Sequence, residues 1–177
     1  MFKMKIILLG MLLCFVIHVP VYAGDGIETA GEVFTFLLPA TAAGLTVVSR
    51  DTEGMFQFGK SAALALGVSY GLKYTVDEKR PNGEDHSFPS NHASIAFASA
   101  EFMRKRYGWE FGIPAYLAAT FVAYSRVESE QHYAHDVIAG AAIGIVSSYF
   151  FTQPFDGWHV SLDYDRDYCG IILSYRW

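Results

Sequence analysis

The chain has few cysteines, few charged side chains and no excess of basic ones. Its 177 residues include two cysteines, and charged residues make up 18% of the sequence with a formal net charge of −5. This acidic balance argues against a general nucleic-acid-binding protein. Hydrophobic residues make up 52% of the chain, which excludes an intrinsically disordered protein. A chain of this length suits one domain with one core.

The apolar runs are also short compared with the roughly 20 residues of a membrane-spanning helix. The first run, residues 6–19, follows Lys3 and Lys5 and precedes small residues ending at Ala23. This order predicts a secretory signal peptide over residues 1–23, with an uncleaved membrane anchor as the alternative. Cleavage would remove Cys14 and leave Cys169 without a disulfide partner. Residues 24–177 are then expected to form a single domain.

Later apolar segments have helical composition, with small residues such as Gly140 and Gly144 that permit close helix packing. They span residues 33–48 (interrupted by Pro39), 61–72, 93–103, 111–124 and 137–151. The expected fold is an all-α bundle of about five or six helices. Alternating apolar and polar residues after position 160 predict a short C-terminal β-hairpin. A soluble bundle and a bundle embedded in or lying on a membrane both remain open, because the segments are short but apolar all round.

The chemically distinctive residues are concentrated between positions 73 and 136, which we expect to be the core of the functional site. Two apolar segments, separated by a basic turn at residues 104–108, lie between His92 and Ser125. Two helices joined by a tight turn form an antiparallel pair. The loops that carry His92 and Arg126 are therefore expected at the same end of the bundle. In a membrane, the basic turn would favour the cytoplasmic side and leave the histidines outside.

Three cations, Lys73, Arg80 and Arg126, would meet at this end of an acidic protein. Burying such a cluster without anions is costly, and a bound phosphate would resolve the cost. The arginine fork matches phosphate oxygens. Ser90 and Asn91 precede a predicted helix, whose N-terminal N–H groups favour anions.

His132 and Asp136 are four residues apart and would share one face of a helix. The carboxylate could hold one ring nitrogen and leave the other free to attack phosphorus. His92, on the other loop, could donate a proton to the leaving oxygen. Taken singly, these residues have ordinary explanations, such as a surface His–Asp pair. Their convergence at one predicted location favours a phosphate site.

These motifs resemble those of the type-2 phosphatidic acid phosphatase and vanadium haloperoxidase superfamily. The family pattern is Lys, six residues, Arg-Pro; then Pro-Ser-Gly-His; then Ser-Arg, five residues, His, three residues, Asp. Here it corresponds to Lys73 and Arg80-Pro81, then Pro89-Ser90-Asn91-His92, then Ser125-Arg126, His132 and Asp136. The match covers about a third of the chain, and the family's all-helical fold agrees with the segments.

The resemblance implies a role for each matching residue. Lys73, Arg80 and Arg126 would hold the phosphate, and Ser90 with the backbone of Asn91 would cradle it. His92 would be the general acid, His132 the nucleophile that becomes phosphohistidine, and Asp136 the residue that orients it. The phosphatases of this group need no metal or other cofactor.

Asn91 departs from the pattern, because it replaces the usual glycine. Glycine permits positive φ and close backbone approach, and asparagine tolerates that conformation better than most residues. We therefore expect a changed pocket shape and a working site. Outside the pattern, His135 is expected at the helix surface or behind the site, and Ser125 to support Arg126.

The expected function is hydrolysis of a lipid phosphate or diphosphate at the cell envelope, with a periplasmic phosphatase for soluble phosphomonoesters as the alternative. Metal chemistry is a different class, with candidate ligands His86, His92, His132, His135 and Asp136, but it would place the three cations beside a metal ion. Vanadate-dependent haloperoxidase chemistry and non-enzymatic binding of anionic lipid are two further alternatives.

Overall fold

The structure is a computed structural model that describes residues 25–155, 158–165 and 168–175, with side chains over residues 26–155. The predicted signal peptide, residues 1–23, lies outside the described residues. The described chain confirms the all-α class. Its five helices are α1 (Asp25–Val48), α2 (Thr52–Thr75), α3 (Asn91–Tyr107), α4 (Trp109–Glu128) and α5 (Ala134–Phe151).

Local signals explain where several helices begin and end. The Asp51 side chain accepts a hydrogen bond from the Gly54 N–H at 2.8 Å, which caps the first turn of α2. Ser90 caps α3 in the same way through the Ala93 N–H. Gly108, at φ 103°, separates α3 from α4 in a single residue.

Consecutive helices run in alternating directions through the bundle, as their short connections require. One end gathers the starts of α1, α3 and α5 and the ends of α2 and α4; we call it the histidine end, because it carries His92 and His132. The opposite end carries the α1–α2 connection and the basic turn at residues 104–108, and we call it the basic-turn end.

The core lies around α3, which packs against all four other helices. The buried apolar cluster of this core contains many small residues. It consists of Leu38, Ala42, Phe58, Ala96, Ala100, Phe102, Met103, Ala115, Ala119 and Val122. Gly140 and Gly144 of α5 face the backbone carbonyls of Ser90 and Ser94, with no room for a Cβ. The predicted close packing at these glycines is therefore present, and it holds α5 against α3.

Two helices, Gly26–Val48 and Ala134–Phe151, are long and apolar enough to cross a membrane, judged by length and composition alone. Pro39 lies inside the first of them without ending it. Large apolar side chains also point away from the core, including Phe36, Leu117, Ile138 and Phe150, which are 68–71% exposed. The helices α1, α4 and α5 therefore have exposed apolar side chains on their outer faces as well as packed side chains on their inner faces.

After α5 the chain forms two strands, β1 (Trp158–Asp165) and β2 (Tyr168–Tyr175). They pair antiparallel, with Trp158 opposite Tyr175 and Asp165 opposite Tyr168.

Candidate active site

His132 and Asp136 meet at the start of α5, where the connection from α4 enters the helix. His132 Nδ1 lies 3.5 Å from Asp136 Oδ2, and both side chains are buried. The His132 N–H donates to the Arg126 carbonyl at 3.1 Å, which folds the connection back over the end of α4. The Asp136 carboxylate also accepts from the Tyr133 N–H at 2.9 Å and so caps α5. Because Nδ1 faces the carboxylate, Nε2 is the nitrogen left for chemistry.

Ser87 is a third member of this group. Its hydroxyl donates to Asp136 Oδ2 at 2.5 Å and lies 3.5 Å from His132 Nδ1. The Ser87 side chain is fully buried. Ser87 therefore fixes the carboxylate that faces the histidine.

The environment of His132 favours its neutral form. Burial, followed by the positive charges of Lys73 and Arg80, lowers the pKa of His132 to about 4, although Asp136 acts in the opposite direction. A neutral imidazole has the lone pair that a nucleophile needs. Lys73 and Arg80 therefore lie within electrostatic range of His132.

Lys73 and Arg80 are held mainly by neutral or exposed groups. Lys73 Nζ donates to the His86 carbonyl at 2.6 Å, and burial followed by the charge of Arg80 lowers the pKa of Lys73. Arg80 Nη1 donates to Glu84 at 2.7 Å and to the Gln131 side chain at 3.0 Å. Neither cation is paired with a buried carboxylate, so both keep the capacity to bind an anion.

Arg126 is buried between α4 and the first turns of α1. Its Nη2 donates to the Glu28 carbonyl at 2.8 Å, and its Nη1 donates to Glu32 Oε1 at 3.1 Å. Its Nε lies 3.4 Å from the Ser125 hydroxyl, in the supporting position expected for that serine. Gly31 lies against Ser125 and Arg126, where a Cβ would clash. The small residue thus lets α1 form a wall of the arginine's pocket.

His92 lies in the first turn of α3, on the other side of this group. Its Nε2 is 3.8 Å from Glu32 Oε1. Burial, followed by the charge of Arg126, lowers the pKa of His92, whereas Glu32 acts in the opposite direction; Arg80 and Lys73 add to the lowering. The structure therefore brings both histidines and all three cations into one electrostatic environment.

Ser90 and Asn91 join α3 to this environment. The Ser90 hydroxyl is used as the helix cap, while its N–H donates to the Asp136 carbonyl at 3.1 Å. Asn91 is the first residue of α3 and is not among the residues with positive φ, so the special backbone considered for this position is not needed. Three of the five buried side-chain atoms without a hydrogen-bond partner in the described chain belong to Arg80, Asn91 and Asp136, although the Asp136 atom, Oδ1, lies 3.2 Å from His135 Nε2. Such a concentration of unsatisfied polar atoms is typical of a ligand site.

The five side chains considered as metal ligands do not converge. Among the described residues, only Glu78, His135 and Asp136 form a group whose ligand atoms lie within 4.8 Å of one another. His135 is largely exposed, and its Nε2 lies 2.8 Å from Glu78 Oε1 and 3.2 Å from Asp136 Oδ1. This agrees with the expected place of His135 at the helix surface.

Four residues near the site belong to none of the sequence motifs: Ser87, Glu28, Glu32 and Gln131. Ser87 stands three residues before Ser90 and reads as loop, and the two glutamates precede the first expected helix. Their contacts connect residues 49 to 103 positions apart in the chain. Only the tertiary fold makes them neighbours of the site.

Comparison with known proteins agrees with the motifs. Over 95 residues, the chain is 36% identical to a lipid A 1-phosphatase of Porphyromonas gingivalis, which covers 49% of this chain and 21% of that protein. Over 70 residues, it is 40% identical to the bacitracin transport permease protein BcrC of Bacillus licheniformis, covering 37% of this chain and 32% of that one. The chain thus spans a third or less of the length of these relatives.

The crystal structure of Aquifex aeolicus LpxE has a similar fold, with a TM-score of 0.54 and 20% identity, covering 67% of this chain and 82% of that one. A family model, described as the PAP2 superfamily, matches residues 54–158, which is more than half of the chain. That segment holds every residue of the three motifs, although it leaves out α1 and its contacts with Arg126. The resemblance seen in the motifs is confirmed, and the chain belongs to the PAP2 superfamily.

Proposed function

We propose that this protein is a phosphatase that hydrolyses a lipid phosphate through a phosphohistidine, without a metal ion. The observation that carries the proposal is the buried His132, with Nδ1 facing Asp136, beside Lys73 and Arg80. A neutral nucleophile next to cations without buried carboxylate partners suits attack on an anionic phosphorus centre.

In the proposed first step, His132 Nε2 attacks phosphorus, and the bond to the leaving oxygen breaks. Lys73, Arg80 and Arg126 stabilise charge on the remaining phosphate oxygens. Asp136, fixed by Ser87, stabilises the positive charge that develops on the His132 ring. His92 donates a proton to the leaving oxygen. In the second step, His92 accepts a proton from water, which attacks phosphorus and releases phosphate from His132.

Ser90 and Asn91 are assigned to the phosphate cradle through the backbone at the start of α3. The N–H groups of a helix's first turn have no partner within the helix and favour a negative charge. Because the Ser90 hydroxyl caps the helix, we assign its contribution to the backbone and to the shape of the loop.

A lipid substrate is favoured over a soluble ester by the outer faces of the helices. Exposed apolar side chains on α1, α4 and α5, such as Phe36, Leu117 and Ile138, are not covered by other parts of the described chain. The helix Gly26–Val48 also passes as a membrane span by its length and composition. The similarity to a lipid A 1-phosphatase supports the same choice.

We further propose that the histidine end faces the outside of the cytoplasmic membrane. The basic turn at residues 104–108 and the exposed Arg50 lie together at the other end, and such residues favour the cytoplasmic side. The expected secretory signal is consistent with this orientation. Labelling of single cysteines by a membrane-impermeant reagent in intact cells tests it: a cysteine at Asn82 should react and one at Arg50 should not.

The decisive experiment is phosphate release by purified protein in detergent with a chelator present, on lipid phosphates and on a soluble monoester. We expect release from a lipid phosphate by the wild type, and a loss of at least about 10⁴-fold in His132→Ala. His135→Ala is the matched comparison: this exposed histidine contacts Asp136 Oδ1 at 3.2 Å but has no role in the attack itself, so its loss of activity should stay within about 10-fold. Equal rates in wild type and His132→Ala would exclude the phosphohistidine route, and loss of activity with the chelator would favour a metal enzyme.

A further inference from the structure

Glu32 has a position that the proposed mechanism does not explain. It lies on α1, outside the segment matched by the family model, and it is the only carboxylate within 4 Å of either Arg126 or His92 among the described residues. Its Oε1 is 3.1 Å from Arg126 Nη1 and 3.8 Å from His92 Nε2, and its side chain is 48% exposed. An acidic group therefore stands at the mouth of a site built for anions.

We propose that Glu32 is a specificity-determining residue that selects phosphate monoesters with an uncharged alcohol as leaving group and rejects diphosphates. This inference rests on the proposed phosphatase function and names the substrate class of that site.

The argument starts from the place of the leaving group. In the proposed mechanism His92 donates its proton to the leaving oxygen, so the leaving group lies on the His92 side of the phosphorus. Glu32 borders His92 on that side. In a monoester the leaving group is an uncharged alcohol, which brings no second negative charge towards the carboxylate of Glu32. In a diphosphate it is a second phosphate, and two anions at close range in a partly buried site repel each other.

A second effect of Glu32 acts in the same direction. An alkoxide leaves poorly unless it is protonated, whereas a phosphate leaves as a stable anion. Monoester hydrolysis therefore depends more strongly on a protonated His92. Burial and then Arg126 lower the pKa of His92, and the negative charge of Glu32 opposes that lowering. A neutral residue at position 32 should weaken the general acid and also admit the second phosphate.

The test compares two lipids that differ only in the leaving group: phosphatidate and diacylglycerol diphosphate. The wild type should prefer phosphatidate in kcat/KM. Glu32→Gln should raise kcat/KM for the diphosphate about 10-fold and lower it for phosphatidate by a few-fold, so that the preference changes by well over 10-fold. Glu32→Ala should change it in the same direction, and Glu32→Gln keeps an oxygen that can accept from the buried Arg126, so that folding is preserved in at least this variant.

The control is Glu110→Gln, which removes one exposed negative charge at the basic-turn end. It should leave the ratio of the two kcat/KM values within about 2-fold of the wild type, because that charge is screened from the site. An unchanged ratio in both Glu32 variants, with release by the wild type intact, would overturn the role of Glu32 alone. No release from either lipid by the wild type would overturn the proposed function as well.

Discussion

Arginines occupy both ends of the bundle, but the two ends satisfy them differently. At the basic-turn end, Arg106 forms two hydrogen bonds with Asp51, at 2.8 and 2.6 Å, and donates to the carbonyls of Gln153 and Pro154. Both side chains of this ion pair are almost fully buried. At the histidine end, Arg80 leaves its buried Nε without a partner. An arginine whose donors are all hydrogen-bonded within the protein stabilises the fold, whereas an arginine with a free donor can bind a ligand.

The carboxylates follow the same division. Asp51 is buried and also accepts from the Tyr107 hydroxyl at 2.8 Å. Glu32 and Glu84, which contact Arg126 and Arg80, are 48% and 63% exposed. An exposed carboxylate can give up its hydrogen bond to an arginine and stay hydrated in place when a phosphate arrives, whereas a buried one cannot without a large cost. The comparison predicts that changes at the basic-turn end cost stability and that changes at the histidine end cost activity.

The largest stability effect is expected for Arg106→Ala. It leaves the Asp51 carboxylate buried without its cation, which should lower the free energy of unfolding by about 3–5 kcal/mol. The measurement is thermal unfolding in detergent, with turnover of the protein that remains folded. The double variant Asp51→Asn with Arg106→Met should recover part of the loss, because it removes both charges and keeps a side-chain oxygen that can cap α2. A strong loss of turnover in the folded Arg106→Ala protein would contradict the view that the basic-turn end affects stability and not activity.

The corresponding change at the histidine end is Arg126→Ala. We expect kcat to fall about 10²–10³-fold, because one group that stabilises the transition-state charge is lost. Unfolding should change less than in Arg106→Ala, since the half-exposed Glu32 can be hydrated. Arg126→Lys keeps the charge without the fork and should recover only part of the activity. A melting temperature as low as that of Arg106→Ala would mean that Arg126 is mainly structural.

A smaller effect is expected for Ser87→Ala. Losing the hydroxyl that fixes Asp136 should lower kcat about 10-fold and leave KM nearly unchanged, because Ser87 acts through Asp136 and not on the substrate. Steady-state kinetics on one lipid phosphate provide the test. Ser99→Ala, a buried serine far from the site that donates to the Ile95 carbonyl, is the control. A rise in KM alone would instead indicate that Ser87 binds substrate.

The mildest test is the pH dependence of kcat/KM. In the proposed mechanism His132 must be neutral, so activity should be lost as the pH falls through a pKa of about 4. His92 must be protonated, so activity should fall as the pH rises through a pKa below the ordinary 6.5. The optimum is therefore expected on the acid side of neutrality. His92→Asn should lower the maximum and flatten the alkaline limb; an alkaline limb unchanged in that variant would assign it to another group.

Much of the candidate site could be predicted because its residues stand at fixed spacings in three motifs, at helix ends and in the loops beside them. Lys73, Arg80, Arg126 and His132 needed only the motifs and the antiparallel helix pair to be placed together. Glu32 and Ser87 could not be found in this way, since their roles depend on which helix packs where. Gly31 allows α1 to approach Arg126, but the sequence around Gly31 does not indicate which residues it packs against.

The helices show a similar limit. The apolar segment at residues 61–72 predicted only the later part of α2, which begins at Thr52. The first turns of this helix mix polar and apolar residues, and their helical structure depends on packing and on the Asp51 cap. The basic turn predicted the α3–α4 connection. Its charge pattern did not reveal that Arg106 is buried, because the partner Asp51 is 55 residues away.

Gly140 and Gly144 act as a spacer between the two histidines. Because they bring α5 into contact with the carbonyls of Ser90 and Ser94, they set how far the loop of His132 stands from the loop of His92. A side chain as small as a methyl group at either position would wedge the helices apart. Substitutions at these two glycines would therefore change the width of the cleft between the two histidine loops, although neither glycine is assigned a contact with the substrate.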